Sequence, residues 1–128
     1  MRVISIAVLF AGAVLACAPP STVQGPMRNS NVITREDIET ANVLNAYDAV
    51  SRLRPQFLNS HGSTTLTGKD TGYPKVYLNH QFYGDLNSLR NIDVHGISEI
   101  HFYGGSEAST RFGLGNVSGA IEVITSAN

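Results

Sequence analysis

The period of the apolar positions changes along the chain, and each change marks a different expected element. Val32-Ile33-Thr34 predicts a first short strand. Thr34-Arg35-Glu36-Asp37 has the form of a capping box, with Asp37 where Glu or Gln is preferred, and opens a helical turn reaching Thr40. Val43, Leu44, Tyr47, Val50 and Leu53 then recur at helical spacing, with Ala46 and Ala49 widening the stripe. Asn42 is the expected cap of this longer helix. Pro55 disfavours α geometry at Arg54, so the helix should stop there, and Phe57 and Leu58 should fold back on the core. Lys75–Asn79 and Gln81–Tyr83 read as a hairpin about Asn79-His80. A two-residue turn of this kind wants positive φ at both central positions, which Asn tolerates better than His. Leu86, Leu89 and Ile92 recur every three residues, as in a short helix laid on a sheet. Asp93 is expected to cap the turn Val94-His95-Gly96.

The last third, Ile97 to Thr125, organises the rest. Ile97–Tyr103 is a strand-like run rich in β-branched and aromatic residues. Gly104-Gly105 permits a sharp reversal after it. Ser106 is then the expected cap of a short helix over Glu107–Phe112, with Glu107 in the first turn and Arg111 near the end. Gly113 is the expected residue just past that helix. Gly113, Gly115 and Gly119 space out a tight loop before Ala120–Thr125, a run apolar enough to lie inside a sheet.

Gly105-Ser106, Ala108-Ser109, Phe112-Gly113, Gly115, Gly119 and Ile121-Glu122-Val123-Ile124-Thr125 together resemble the end of the plug domain of TonB-dependent outer-membrane receptors. A looser resemblance runs from about Val32 to Thr125. It implies an α+β fold: a small mixed β-sheet packed with one main helix and short helices. It also implies structural roles in the plug motif for Gly104, Gly105, Glu107, Arg111, Gly113, Gly115 and Gly119. Ser106 stands where the family usually has Pro, Gly104 where a charged residue is common, and Glu107 reads as one extra residue.

At the N-terminus, Met1-Arg2 precedes an apolar stretch from Val3 to Ala16, shorter than the ~20 residues a membrane span takes. It reads as a signal peptide, residues 1–16. Val14-Leu15-Ala16-Cys17 resembles a bacterial lipobox, which makes Cys17 the expected lipid attachment site. Ordinary signal cleavage with Cys17 incidental is the alternative. Residues 17–31, rich in Pro, Gly and small polar residues, are expected to form a lipidated flexible tether. Residues 32–126 are expected to form the plug-like domain. Ala18 after the cysteine resembles lipoproteins sent to the outer membrane. No convincing copy of the family's energy-coupling box stands before the domain.

The whole chain of 128 residues allows one ordinary domain. Its formal net charge of −1 and the lack of a basic patch argue against nucleic-acid binding. Its single Cys excludes an intrachain disulfide. From Asn59 to Gly72 the chain is Ser-, Thr- and Gly-rich with no period. Long loops of this kind are usually functional or mobile. Ser60, His61, Ser63, Thr64 and Thr65 are therefore candidate ligand or partner contacts, matching an apical loop in the resemblance. An insertion with no partner is an equal alternative.

His61, His80, His95 and His101 make no His-Glu-x-x-His pattern and no helical His pair, so no metal site is expected. No Gly-x-Ser-x-Gly elbow is present. The glycines of Gly113–Gly119 precede a strand, whereas a dinucleotide fingerprint must open a helix. Glu99, Glu107, Arg111 and Glu122 are charges near the organising turn. An exposed Glu107–Arg111 pair would contribute ~0.2–0.5 kcal/mol. A plugged barrel needs about 22 strands of ~9–11 residues each, so this chain does not encode one.

These readings converge on a non-enzymatic lipoprotein on the periplasmic face of the outer membrane, with no cofactor. Its expected partner is an envelope protein, a separate β-barrel among the candidates, or a ligand. The alternatives are a small periplasmic ligand-binding or enzymatic lipoprotein, and a receptor remnant that folds without function.

Overall fold

A computed structural model describes residues 29–61 and 71–126. Strand β1 (Val32–Thr34) leads into helix α1 (Arg35–Ala41), then helix α2 (Ala46–Leu53) and a 3₁₀ turn over Pro55–Leu58. Strands β2 (Lys75–Leu78) and β3 (Gln81–Gly84) form a hairpin. Two further 3₁₀ segments, Leu86–Asn91 and Val94–Gly96, precede strand β4 (Ile97–Tyr103), helix α3 (Gly105–Phe112) and strand β5 (Ala120–Thr125). The strands form one mixed sheet in the order β1-β4-β5-β2-β3. Among the described residues only the β2–β5 pair is parallel. The fold is α+β, as the sequence predicts.

Local chemistry sets the boundaries. Thr34 and Asp37 close the expected capping box: Asp37 N–H donates to Thr34 Oγ1 at 3.4 Å and Thr34 N–H donates to Asp37 Oδ2 at 3.3 Å. Two orphan amides at the helix start are thereby satisfied. Asn42 does not cap α2. It ends α1 in the left-handed region, φ 50°, which Asn adopts more readily than most residues. The cap of α2 is Asn45, whose side chain accepts from Asp48 N–H at 2.9 Å. Val43 and Leu44 consequently precede α2, and Leu44 lies largely in water. The 3₁₀ form of Leu86–Asn91 explains the spacing of its apolar residues, since i and i+3 eclipse in that helix. Leu89 and Ile92 are buried by it.

Alternation along the strands divides the sheet into two unlike faces. Val76 on β2, Ile97 and Ile100 on β4, and Ile121 and Val123 on β5 point to one face. Ile38, Ala46, Ala49, Val50, Phe57 and Leu89 cover it from α1, α2 and the 3₁₀ turns. Fully burying a side chain of this size stabilises by ~1.5–3 kcal/mol. This layer is the main core. Phe57 stacks on Phe102 at a centroid distance of 4.9 Å, which brings the segment after α2 back onto the sheet. The second face carries Tyr77, Tyr103 and Ala120, and the apolar groups packed on it come from α3, through Ala108 and Phe112. Strand β5 is central, with Ala120–Val123 fully buried.

Candidate functional site

The second face has a polar centre. Register places His101 of β4 opposite Glu122 of β5, Glu122 opposite Tyr77 of β2, and Tyr77 opposite Phe82 of β3. Residues paired across strands share a face, so these four cross the sheet in a row. Glu122 sits in the middle of that row and is 0% exposed. A carboxylate buried alone is strongly unfavourable, and four donors converge on this one. His80 N–H donates to Oε1 at 3.0 Å, and His80 Nδ1 lies 2.9 Å from the same oxygen. Tyr103 Oη–H donates to Oε2 at 3.1 Å, and Arg111 Nε stands 3.6 Å from it.

Each donor is delivered by a different element. Asn79 (φ 47°) and His80 (φ 71°) both take the left-handed conformation that the two-residue hairpin demands. Asn79 ties this turn to the end of β5: its Nδ2 donates to Thr125 Oγ1 at 2.8 Å, and Thr125 N–H donates to its Oδ1 at 2.9 Å. Arg111, in the last turn of α3, lies over the Tyr103 ring at 4.8 Å and donates through Nη2 to His80 Nε2 at 3.3 Å. Burial and the neighbouring Glu122 carboxylate push the Tyr103 hydroxyl up to about 12. Tyr77 stacks on Phe112 at 3.9 Å, and its hydroxyl donates to Asn116 Oδ1 at 3.0 Å.

The glycine loop over this face is built around close approaches. A Cβ on Gly105 would sit 2.0 Å from the carbonyl oxygen of Val117. Gly119 has φ 95°, and a Cβ there would meet Tyr103 O at 2.8 Å. Only glycine lets the loop cross α3 and β4 this closely. Gly113 and Gly115 also take positive φ, while Gly104 has φ −64° with open space around it. Asn116 Nδ2 donates to Gly113 O at 2.9 Å and Lys75 Nζ donates to Gly115 O at 2.6 Å, fixing the loop from inside and outside.

Several expectations need correction. Ser106 does not cap α3, which begins two residues earlier than expected, at Gly105, with Gly104 at the cap position and no side-chain cap bond. The Glu107–Arg111 pair is not formed, because Arg111 turns to Glu122, His80 and the Tyr103 ring. Glu122 is the enclosed centre of this arrangement. A lone acidic residue inside an otherwise apolar strand was its one sequence signal, and its partners lie too far along the chain for spacing to join them.

Ser60 and His61 mark the neck of the Asn59–Gly72 loop: Ser60 Oγ–H and His61 N–H both donate to Gly72 O, at 3.0 and 2.9 Å. Cys17, Ser63, Thr64 and Thr65 lie outside the described residues. The His61 ring packs against Phe102, while His101, the preceding residue of β4, faces the other way and holds Glu99 at 2.7 Å. His95 pairs with Asp93 at 2.6 Å. The His95 backbone N–H and ring hold the exposed Asp93 carboxylate below its usual range. Among the described residues no group of three His, Cys, Asp or Glu side chains is placed to hold a metal ion. A groove of about 430 Å³ opens between Tyr47, Leu58, Thr71, Tyr73, Asp85 and Leu86. Comparison with protein-family models, with curated proteins and with solved structures finds no match.

Proposed function

We propose that this chain is a non-enzymatic lipoprotein of the cell envelope whose plug-like domain binds a partner protein, as an accessory to outer-membrane transport. Attachment through Cys17 would hold it on the periplasmic face of the outer membrane. The observation that carries this reading is the construction of β4, α3, the glycine loop and β5. Those residues bear the family resemblance, and two of its glycines, Gly105 and Gly119, stand where no side chain fits. A partner-binding role is further supported by the apolar groups left in water. Phe82 lies on the edge strand β3, on the face of Tyr77, and Leu114 and Val117 lie on the glycine loop. Exposed apolar groups are a common feature of surfaces that associate.

Crosslinking in intact cells tests the proposal. The expected product joins this chain to an envelope protein that shifts in apparent mass on heating, as folded barrels do. Recovery of no barrel would overturn the transport role. Mass spectrometry of the membrane fraction tests the anchor, which an unmodified Cys17 would remove from the account.

A second reading rests on the groove between Tyr47 and Tyr73. Its volume lies in the range of small-molecule sites, ~300–1,000 Å³, and two tyrosine rings with Asp85 line it. That reading makes the chain a periplasmic ligand-binding lipoprotein. Tyr47→Ala with Tyr73→Ala would then abolish ligand capture from periplasmic extract while leaving the barrel crosslink intact.

A further inference from the structure

Position 80 is the second central residue of the two-residue hairpin and takes the left-handed conformation, φ 71°, that this turn demands and that His adopts more readily than most residues. Here the surroundings aim the ring. Arg111 can only donate, so Nε2, 3.3 Å from its Nη2, is the acceptor, and the proton of the imidazole lies on Nδ1, 2.9 Å from Oε1 of the enclosed Glu122. This tautomer follows from the hydrogen-bond network. The His80 side chain is 63% exposed and that of Arg111 43%, so both face water above a fully buried carboxylate. Among the described residues, Nη1 of Arg111 has no hydrogen-bond acceptor.

We propose that His80 and Arg111 form a proton-linked binding site for a carboxylate. With the ring neutral, the charges of Glu122 and Arg111 cancel. Of the other groups facing the cluster, Tyr103 keeps its proton, Glu107 lies on α3 towards Tyr103, and Glu99 is paired with His101 beyond it. An arriving carboxylate takes the fork of Arg111, the planar pairing that guanidinium favours. Arg111 then releases Nε2, which takes a proton from solvent and donates to the second carboxylate oxygen. Glu122 and the ligand together balance Arg111 and the imidazolium. A metal ion at Nε2 would instead stand against the guanidinium, so the carboxylate–histidine pair does not serve a cation here. The site does not rest on docking to a barrel: a failed crosslink leaves it standing, and failure to bind a carboxylate leaves that docking reading standing.

The test is titration of the purified full chain with sodium acetate, followed by the NMR signals of the His80 ring. Calorimetry in two buffers of different ionisation heat counts the protons. Acetate should bind with Kd on the order of 1 mM near pH 6, about tenfold more weakly near pH 8, with uptake of a proton. His80→Asn keeps a residue suited to the turn and should bind weakly with no pH dependence. Arg111→Gln should abolish binding, and Arg111→Lys, which keeps the charge without the fork, should weaken it about tenfold. Circular dichroism establishes that each variant is folded. Should Arg111→Gln lose its fold, Arg111→Lys carries the test. A peptide with one central Glu and blocked termini separates the sources: binding at least as tight as acetate assigns the carboxylate to a protein partner, and binding of acetate alone assigns it to a small acid. Equal affinity at both pH values, an unmoved His80 ring, or Arg111→Lys binding as tightly as the native chain would overturn the proposal.

Discussion

The two faces of the sheet are built from the same strands and do different work. On one, Ile100, Ile121 and Val123 meet two helices and the 3₁₀ turns in an apolar layer. On the other, the residues between them in sequence, His101 and Glu122, meet one short helix, a hairpin turn and a glycine loop. The first face is held by area, which is indifferent to geometry over small shifts. The second is held by donors aimed at one carboxylate, where removing a single partner leaves a buried charge under-served. A sheet with one such face tolerates conservative change on its apolar side. Its polar side depends on the positions of His80, Tyr103 and Arg111.

Neighbouring residues of β5 give the sharpest contrast. Ile121→Ala should cost about 2–5 kcal/mol in chemical denaturation, the usual range for emptying a well-packed core position. Gly105→Ala should cost about 3 kcal/mol, because the new methyl meets the Val117 carbonyl. Its neighbour Gly104→Ala should fall within about 0.5 kcal/mol of native. Equal effects of the two glycine changes would break the account of the loop. Glu122→Gln should cost about 2 kcal/mol, because an amide nitrogen replaces one acceptor oxygen among groups that donate. Thr34→Ala, at the end of the edge strand β1, should cost about 1 kcal/mol through the lost cap.

The smallest effect is at high pH. Tyr103 holds its proton in the fold up to about 12, against an ordinary value near 10.0. The unfolded chain therefore releases this proton first, and stability present below pH 10.0 declines as pH rises towards 12. Absorbance titration of tyrosinate should show the late ionisation of the Tyr103 phenol. Glu122→Gln should bring it to lower pH, because a carboxylate that accepts its hydrogen bond is gone. No change in that phenol would contradict the Tyr103–Glu122 contact.

Most of the apolar face was legible in the sequence. The capping box at Thr34, the stop at Pro55, the hairpin about Asn79-His80 and the interior position of β5 each follow from local chemistry acting over a few residues. Boundaries slipped where two residues competed for one role. Asn42 and Asn45 both suit a helix end, and only the left-handed turn between the helices assigns one to each. Ser106 offered a cap that Gly104 and Gly105 pre-empt, because the crossing at Val117 sets where α3 begins. The Glu122 cluster was not legible. Helical spacing pairs Arg111 with Glu107 at low gain, and only tertiary register shows that a buried carboxylate draws the guanidinium away.

The central claim is that the second face is the side through which the chain works. Photo-crosslinking residues placed singly at Phe82, on that face, and at Gln56, on the helix-covered side, test it in intact cells; both positions are exposed. The account predicts a heat-modifiable barrel joined at Phe82 and none at Gln56. An equal yield from Gln56, or no barrel adduct from Phe82, would contradict it.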